Sequence, residues 1–490
     1  MENMRRTVVK RLLLAILLSS FFCSPAFCAI ASTTVWEVRT TGNTANGSGF
    51  NASNASVGTD YSQQDAAQDS GTDLASADGD AVPCVVTSAT HNFVAADNGN
   101  LIQITEAGDG FTLGFYEIVS TATNAATLDR ACGSDGAKTG GDWAYGGASD
   151  HPDRFSAIVT AGNKTYIEGG TYQPVGGNAF VLETTVVAND PNRFDWIGYK
   201  ASTAREDAYL DDRPLLDANS QTDAILVSQS GQIFKNLRVT GATNIGLNGS
   251  SKSLVADNIK AYSNGSHGIY CNSNGSSVIR SEVTLNTGNG ISGSSSANVY
   301  AYNYSHDNTV YGFYSGYNFK NISESNTGSG YRGQYTNANW IGCIAYGHSG
   351  SGDDGFDING WSGGDDVGNL MMDNVAVDNA GIGYRMGSSG HMQPYFVNNA
   401  YEGNGTPLLY ITPDSDTDVT DDPLFTAPAA DPPDFTLGTT SPLIGVGTQG
   451  ASWAVRVGLA DVDYNQNIGV SQAGAASAGG SGTTSYGFSN

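Results

Sequence analysis

Basic residues are scarce in this chain: 22 Lys and Arg stand against 48 Asp and Glu in 490 residues, a formal net charge of −26. No basic groove is available to neutralise phosphates, so nucleic acid is excluded as a partner. Long apolar runs are equally scarce. One lies near the start, and no second stretch of about 20 apolar residues follows, so the mature chain is expected to have no transmembrane span. Glycine is plentiful at 63 residues, but it does not fall at every third position as collagen demands. Also missing are a Ser-His-Asp set, a phosphate-cradling glycine loop, an amphipathic membrane helix and any His/Cys spacing suited to zinc.

The chain opens with Arg5, Arg6, Lys10 and Arg11 ahead of an apolar run at 12–22, followed by Ala29-Ile30-Ala31 as a small-x-small cleavage site and Ala26-Phe27-Cys28 as a competing one. Residues 1–31 therefore have the form of a secretory signal peptide, and an exported protein is expected, extracellular, at the cell surface or periplasmic. Four cysteines remain after cleavage. Cys84 and Cys132 stand at the two ends of one compact segment and are expected to form a disulfide, which export permits. Cys271 and Cys343 lie several coils apart, too far for a bridge, and read as separate buried thiols.

Between Leu237 and Asn404 a glycine followed by an apolar residue recurs at Gly246-Leu247, Gly268-Ile269, Gly290-Ile291, Gly312-Phe313, Gly330-Tyr331, Gly355-Phe356 and Gly383-Tyr384. A second apolar strand leads into most of these steps, as in Ile259-Lys260-Ala261, Val283-Thr284-Leu285 and Val375-Ala376-Val377. A unit this short cannot bury its own apolar side and must stack on its neighbours. Alternation with period two makes the pieces strands, and Asn, Gly, Ser and Asp make the corners. The expected fold is all-β, a parallel β-helix (solenoid). Leucine-rich repeats need a Leu-x-x-Leu-x-Leu frame that is absent, and propeller blades need about 40 residues each. Recurrent asparagines such as Asn258, Asn286, Asn303, Asn321, Asn374 and Asn398 are read as side chains bonding the coil backbone.

Around the repeat, residues 32–83 read as an irregular segment with one strand-like piece, Val35-Trp36-Glu37-Val38, and a short helix near 62–69. Residues 84–150 read as a small N-terminal β module or cap, with strands at Cys84-Val85-Val86, Leu101-Ile102-Gln103-Ile104, 114–119 and Ala126-Thr127-Leu128. The β-helix is assigned to 151–470, and the Gly/Ala/Ser-rich tail at 471–490 is expected to be disordered.

Lys164-Thr165-Tyr166-Ile167 and Gly170-Thr171-Tyr172 resemble the opening coil of secreted right-handed parallel β-helix proteins, and Asp353-Asp354-Gly355-Phe356-Asp357 resembles the Asp-Asp-Gly-Trp-Asp calcium motif of a pectate-lyase family built on that fold. The chain is thus similar to the pectate-lyase-like superfamily. That resemblance implies a right-handed coil, Ca2+ held by Asp353, Asp354 and Asp357, and a basic group from a later coil that removes a proton beside a uronate carboxylate. The family's lysine has no counterpart, because no lysine follows Lys320; Arg385, beside Gly383-Tyr384, is left as the candidate catalytic group. The preceding coil has Ser329-Gly330-Tyr331 where the family carries another Asp. Gly352-Asp353-Asp354 also resembles the paired Asp of β-helix polygalacturonases, which implies hydrolysis, although the Gly-His-Gly and Arg-Ile-Lys elements of those enzymes are not found.

The residues carry part of this by themselves. Phe356 takes the recurring inward position, so Asp357 points outward, and Asp354 is presented from the corner before the strand. Converging carboxylates suit calcium, and without a cation their repulsion raises their pKa values. A solvated acidic corner explains the same letters. Aromatic residues crowd three coils, and Tyr302, Tyr304, Tyr314 and Tyr335 are candidate outward rings for the apolar faces of sugars. Stacked core tyrosines are the competing reading.

Two function classes follow. One is an exported β-helix that binds or processes an extracellular polysaccharide, by calcium-assisted lyase chemistry. The other is a non-enzymatic surface adhesin, fibre or matrix scaffold that associates with the cell surface or itself.

Overall fold

The computed structural model describes residues 30–444 apart from short internal stretches, the longest of them 183–192 and 359–368. Residues 1–29 of the expected signal peptide, Tyr335 and the tail at 471–490 lie outside the described residues, as do His391, Asp365, Asp366, Asp414, Asp416 and the run Asp461-Val462-Asp463-Tyr464. Two compact units are distinguished, one largely within 45–147 and the other built mainly from residue 161 onward. Among the described residues no helix is long and apolar enough to cross a membrane.

The first unit is a closed antiparallel barrel whose strands run in the order Asp69–Ser76, Val85–Thr87, Ala125–Leu128, Gly114–Ala122, Leu101–Glu106, Lys138–Tyr145. Leu74, Val86, Ile102, Ile104, Ile118, Leu128 and Trp143 fill its core. Cys84 and Cys132 are bonded there with their Cα atoms 5.8 Å apart. Two of the six strands, Asp69–Ser76 and Lys138–Tyr145, arise where the sequence shows little apolar alternation. In the first only Leu74 and Ser76 are buried, and its pairing with the second closes the barrel. His91 is a structural staple: Nδ1 lies 2.6 Å from Asp69 and Nε2 3.1 Å from Asp97.

The second unit is a parallel β-helix. Three sheets run its length, joined by corners, and every coil contributes a strand to each along the regular stretch. Sheet 1 includes Thr34–Val38, Lys164–Glu168 and Phe194–Tyr199 and extends to Tyr395–Val397; sheet 2 runs from Thr171–Tyr172 to Ala400–Glu402; sheet 3 runs from Asp223–Leu226 to Thr406–Leu409. The recurring Gly-apolar step is the start of sheet 3. Leu247, Ile269, Ile291, Phe313, Tyr331, Phe356 and Tyr384 lie in lateral register there. The aromatic members stack face to face inside the coil at 4.9, 4.6 and 4.8 Å, which is the spacing of adjacent strands. Trp36 is fully buried against Phe155, so it belongs to the core and offers no sugar platform.

Two asparagine ladders hold the corners around sheet 2. In one, the backbone N–H groups of Asn264, Asn286 and Asn308 donate to the side-chain oxygens of Asn286, Asn308 and Asn326 on the following coils. In the other, Asn303 donates to Asn321 and Asn374 to Asn399. Each ladder residue follows a corner residue with positive φ, whether Ser263, Leu285, Asp307 and Ser325 or Tyr302, Lys320, Asp373 and Asn398. Asn398 and Asn258 are themselves such corner residues rather than ladder members. The last strands, Phe425–Ala427 and Asp434–Leu437, pair antiparallel, and Phe435, Leu437 and Leu443 pack on Ile344, Val375 and Val377. The valines flank inward Ala376 and so present apolar surface on the outer side of sheet 2, which the hairpin covers.

Candidate functional site

One position after each inward residue of sheet 3 the side chain faces outward. Lateral pairing aligns Tyr270, Ser292, Tyr314, Arg332, Asp357 and Arg385 in a single outer row, one residue per coil. Two of these, Asp357 and Arg385, are legible as candidates from the acidic motif. Arg332 is not, although its place directly after Tyr331 is the same as that of Asp357 after Phe356; the repeat itself was the signal.

The strand carrying Asp357 begins at Phe356, so Asp353 and Asp354 remain in the corner before it. Asp353 is half-buried, whereas Asp354 and Asp357 are buried. Asp354 is fully engaged: Oδ1 accepts the Ile382 N–H at 2.8 Å, and Oδ2 accepts Arg385 Nη1 at 3.2 Å. Asp357 Oδ2 lies 3.8 Å from Arg332 Nε, and its Oδ1 is buried without a hydrogen-bond partner, as is Arg385 Nε. Arg332 donates to Tyr311 Oη and lies over that ring, 4.9 Å from its centroid, while Tyr311 stacks on Tyr314 at 5.8 Å.

Burial dominates the electrostatics. It pushes the Asp357 carboxyl up to about 6, against the pull of Arg332 and with the help of the Asp354 charge. Burial also raises Asp354, opposed by the Ile382 N–H and by Arg385, and it raises Asp353. Partial burial works against the Arg385 charge, but its hydrogen bond to Asp354 and the nearby carboxylates outweigh it and hold the guanidinium above its ordinary value. Arg385 is therefore a fixed cation, ill suited to accept a proton.

The candidate tyrosines fall on different parts of the coil. Tyr314 shares the face of Asp357. Tyr302 occupies a positive-φ corner and meets Phe319 edge-on at 5.7 Å. Tyr304 is buried on sheet 2, stacked on His306 at 4.2 Å with its hydroxyl on Glu324. His306 in turn lies 3.5 Å from Glu282, which pairs with Lys260 at 3.0 Å. His267, His306 and His348 are not gathered into one site. Among the described residues, one group of carboxylates brings its oxygens close enough together for a metal, the exposed Asp78, Asp80 and Asp135 of the barrel. Cys271 and Cys343 are separate buried thiols, as their spacing requires.

No family model matches this sequence, and no curated protein matches it. Among solved structures, the chain is similar to pectate lyase Pel9A at 15% identity, with a TM-score of 0.44, over 64% of this chain and 88% of that one. A rhamnogalacturonan lyase is similar at 13% identity and a TM-score of 0.36, over 64% of this chain and 94% of that one. The catalytic unit of an α-1,3-glucanase from Streptomyces thermodiastaticus strain HF3-3 is similar at 10% identity and a TM-score of 0.34, over 72% of this chain and 86% of that one. At such identities and TM-scores the likeness says nothing of what this chain does.

Proposed function

We propose that this is an exported β-helix protein that binds and processes an extracellular polysaccharide along the outer face of sheet 3. The observation that carries this reading is the outer row itself. Tyr314, Arg332, Asp357 and Arg385 stand on consecutive coils with Asp357 buried between the two arginines, so a linear chain lying along the coil axis meets an aromatic face and two cations in turn. Stacking rings accept the apolar faces of sugars, and guanidinium groups orient hydroxyl or acidic substituents in a fixed plane. Asp357 is the group in this row that can hold and release a proton, the role a processing enzyme needs.

Calcium-assisted lyase chemistry with Asp353, Asp354 and Asp357 as ligands is the finer form of this reading. Calcium takes six to eight oxygens, so that form asks Arg385 to leave Asp354 and Asp353 to turn toward Asp357. When bound, the ion would neutralise a uronate carboxylate. The chain's own residues would hold it from the corner before Phe356.

The test is retention of the mature protein by a panel of immobilised neutral and acidic polysaccharides, with the products assayed for 4,5-unsaturated and for reducing ends. Retention that drops on Tyr314→Ala, with either product, supports the reading. Absence of retention and product across the panel would contradict it and favour a scaffold role.

A further inference from the structure

The acidic motif that resembles a calcium site is neutralised here by arginine. Both oxygens of Asp354 are taken, one by the Ile382 N–H and one by Arg385. Asp357 stands between Arg332 and Arg385 in lateral register, one coil from each. Asp353, outside the strand, is not aligned with them. The three carboxylates do not bring their oxygens together; the described residues do this elsewhere, at Asp78, Asp80 and Asp135. A calcium ion needs a shell of converging oxygens. This corner offers one carboxylate already paired, one lying between two guanidinium groups and one set aside.

We infer that the outer face of sheet 3 takes an anionic glycan without a divalent cation, with Arg332 and Arg385 supplying the positive charge. The inference rests on the reading that this face engages a polysaccharide. Arg332 and Arg385 offset the carboxylates of Asp354 and Asp357 at this corner, on a chain whose overall charge is −26. Guanidinium forks match carboxylate and sulfate geometry and hold their charge at any working pH. Buried polar atoms without partners are uncommon in folded proteins, and two occur in this row, Asp357 Oδ1 and Arg385 Nε. The Arg332 and Arg385 side chains are 30% and 36% exposed, so an acid group can reach both guanidinium groups from the outer face. Tyr311 holds Arg332 from the side through its ring and hydroxyl, which fixes the guanidinium in place before ligand arrives.

The experiment is titration calorimetry of the mature protein with oligomers of galacturonate, glucuronate and alginate, each beside its carboxyl-reduced counterpart, in EDTA and in calcium. The expected result is binding of at least one acidic oligomer in EDTA, within about threefold of its affinity in calcium, and at least tenfold weaker binding of the reduced form. Arg332→Gln and Arg385→Gln are each expected to weaken binding at least tenfold. Because either change could disturb folding, Asp357→Asn is the companion variant: removing the carboxylate between the two cations is expected to tighten anion binding severalfold, which loss of structure cannot do. Binding that requires calcium, or reduced oligomers that bind as well as acidic ones, overturns the inference and leaves the polysaccharide reading standing. If no oligomer of either kind binds, both fall.

Discussion

His348 sits where the first asparagine ladder would place another amide. Its Nδ1 accepts the Asn326 N–H at 3.2 Å, its own N–H donates to Asn379, and its Nε2 is buried without a partner. Burial pushes its pKa down to about 4. A histidine with a depressed folded pKa is protonated more readily when unfolded, so stability is lost as pH falls from about 6.5 toward 4. The loss attributable to this residue is on the order of 3 kcal/mol. His348→Asn restores the ladder chemistry and is expected to flatten that part of the pH dependence, read from urea melts at pH 7 and pH 4.5. An unchanged slope would remove His348 as its source. Asp357 works in the opposite sense. Its folded pKa is raised to about 6, so it withdraws stability as pH rises from about 4 through 6. Asp357→Asn is therefore expected to raise the melting temperature at pH 7 and to leave it nearly unchanged at pH 4, measured by calorimetry. At this scale the sequence was informative where the repeat is strict. The inward place of Phe356 made the outward place of Asp357 readable, whereas the partners of Asp354 were not, because Arg385 arrives from a coil 31 residues away. Tyr302 shows what residue type leaves unread: it fills a left-handed corner where Gly or Asn would be expected, a backbone placement its side chain does not announce.

The coil owes its regularity to side chains that replace backbone partners at the corners. Asn308 is fully buried; its oxygen accepts the Asn286 N–H at 3.1 Å and its amide donates to the Val283 carbonyl at 3.0 Å. Asn308→Ala leaves both groups without partners in the core, and the expected cost is about 3 kcal/mol or more, read from chemical denaturation. A cost below about 1 kcal/mol would mean that the ladder follows the fold without supporting it. The barrel is held differently. Cys84–Cys132 closes a separation of 48 residues, and replacing both cysteines by Ala is expected to destabilise that unit by about 2–5 kcal/mol. The effect should appear as a lower barrel transition in calorimetry, with sheet 3 unaffected. The strands of the repeat were legible because apolar alternation and Gly-apolar steps mark every coil. Asp69–Ser76 was not, since a strand with two buried residues in eight gains its form from pairing to Lys138–Tyr145.

Across the whole molecule, stacking converts a weak local pattern into a long continuous core, and it sets unlike residues of distant sequence side by side. Arg332, Asp357 and Arg385 are separated by 25 and 28 residues in the chain and by a single strand spacing in the coil. That is why the fold could be read from the period alone while the row of charges became visible only when the register was known. The most direct measurement is hydrogen exchange of the mature protein with and without an acidic oligosaccharide, in EDTA. The account predicts added protection at Tyr331–Gly333, Phe356–Ile358 and Ile382–Met386, lost in Arg385→Gln. Protection confined to the outer side of sheet 2, or to the barrel, would contradict it.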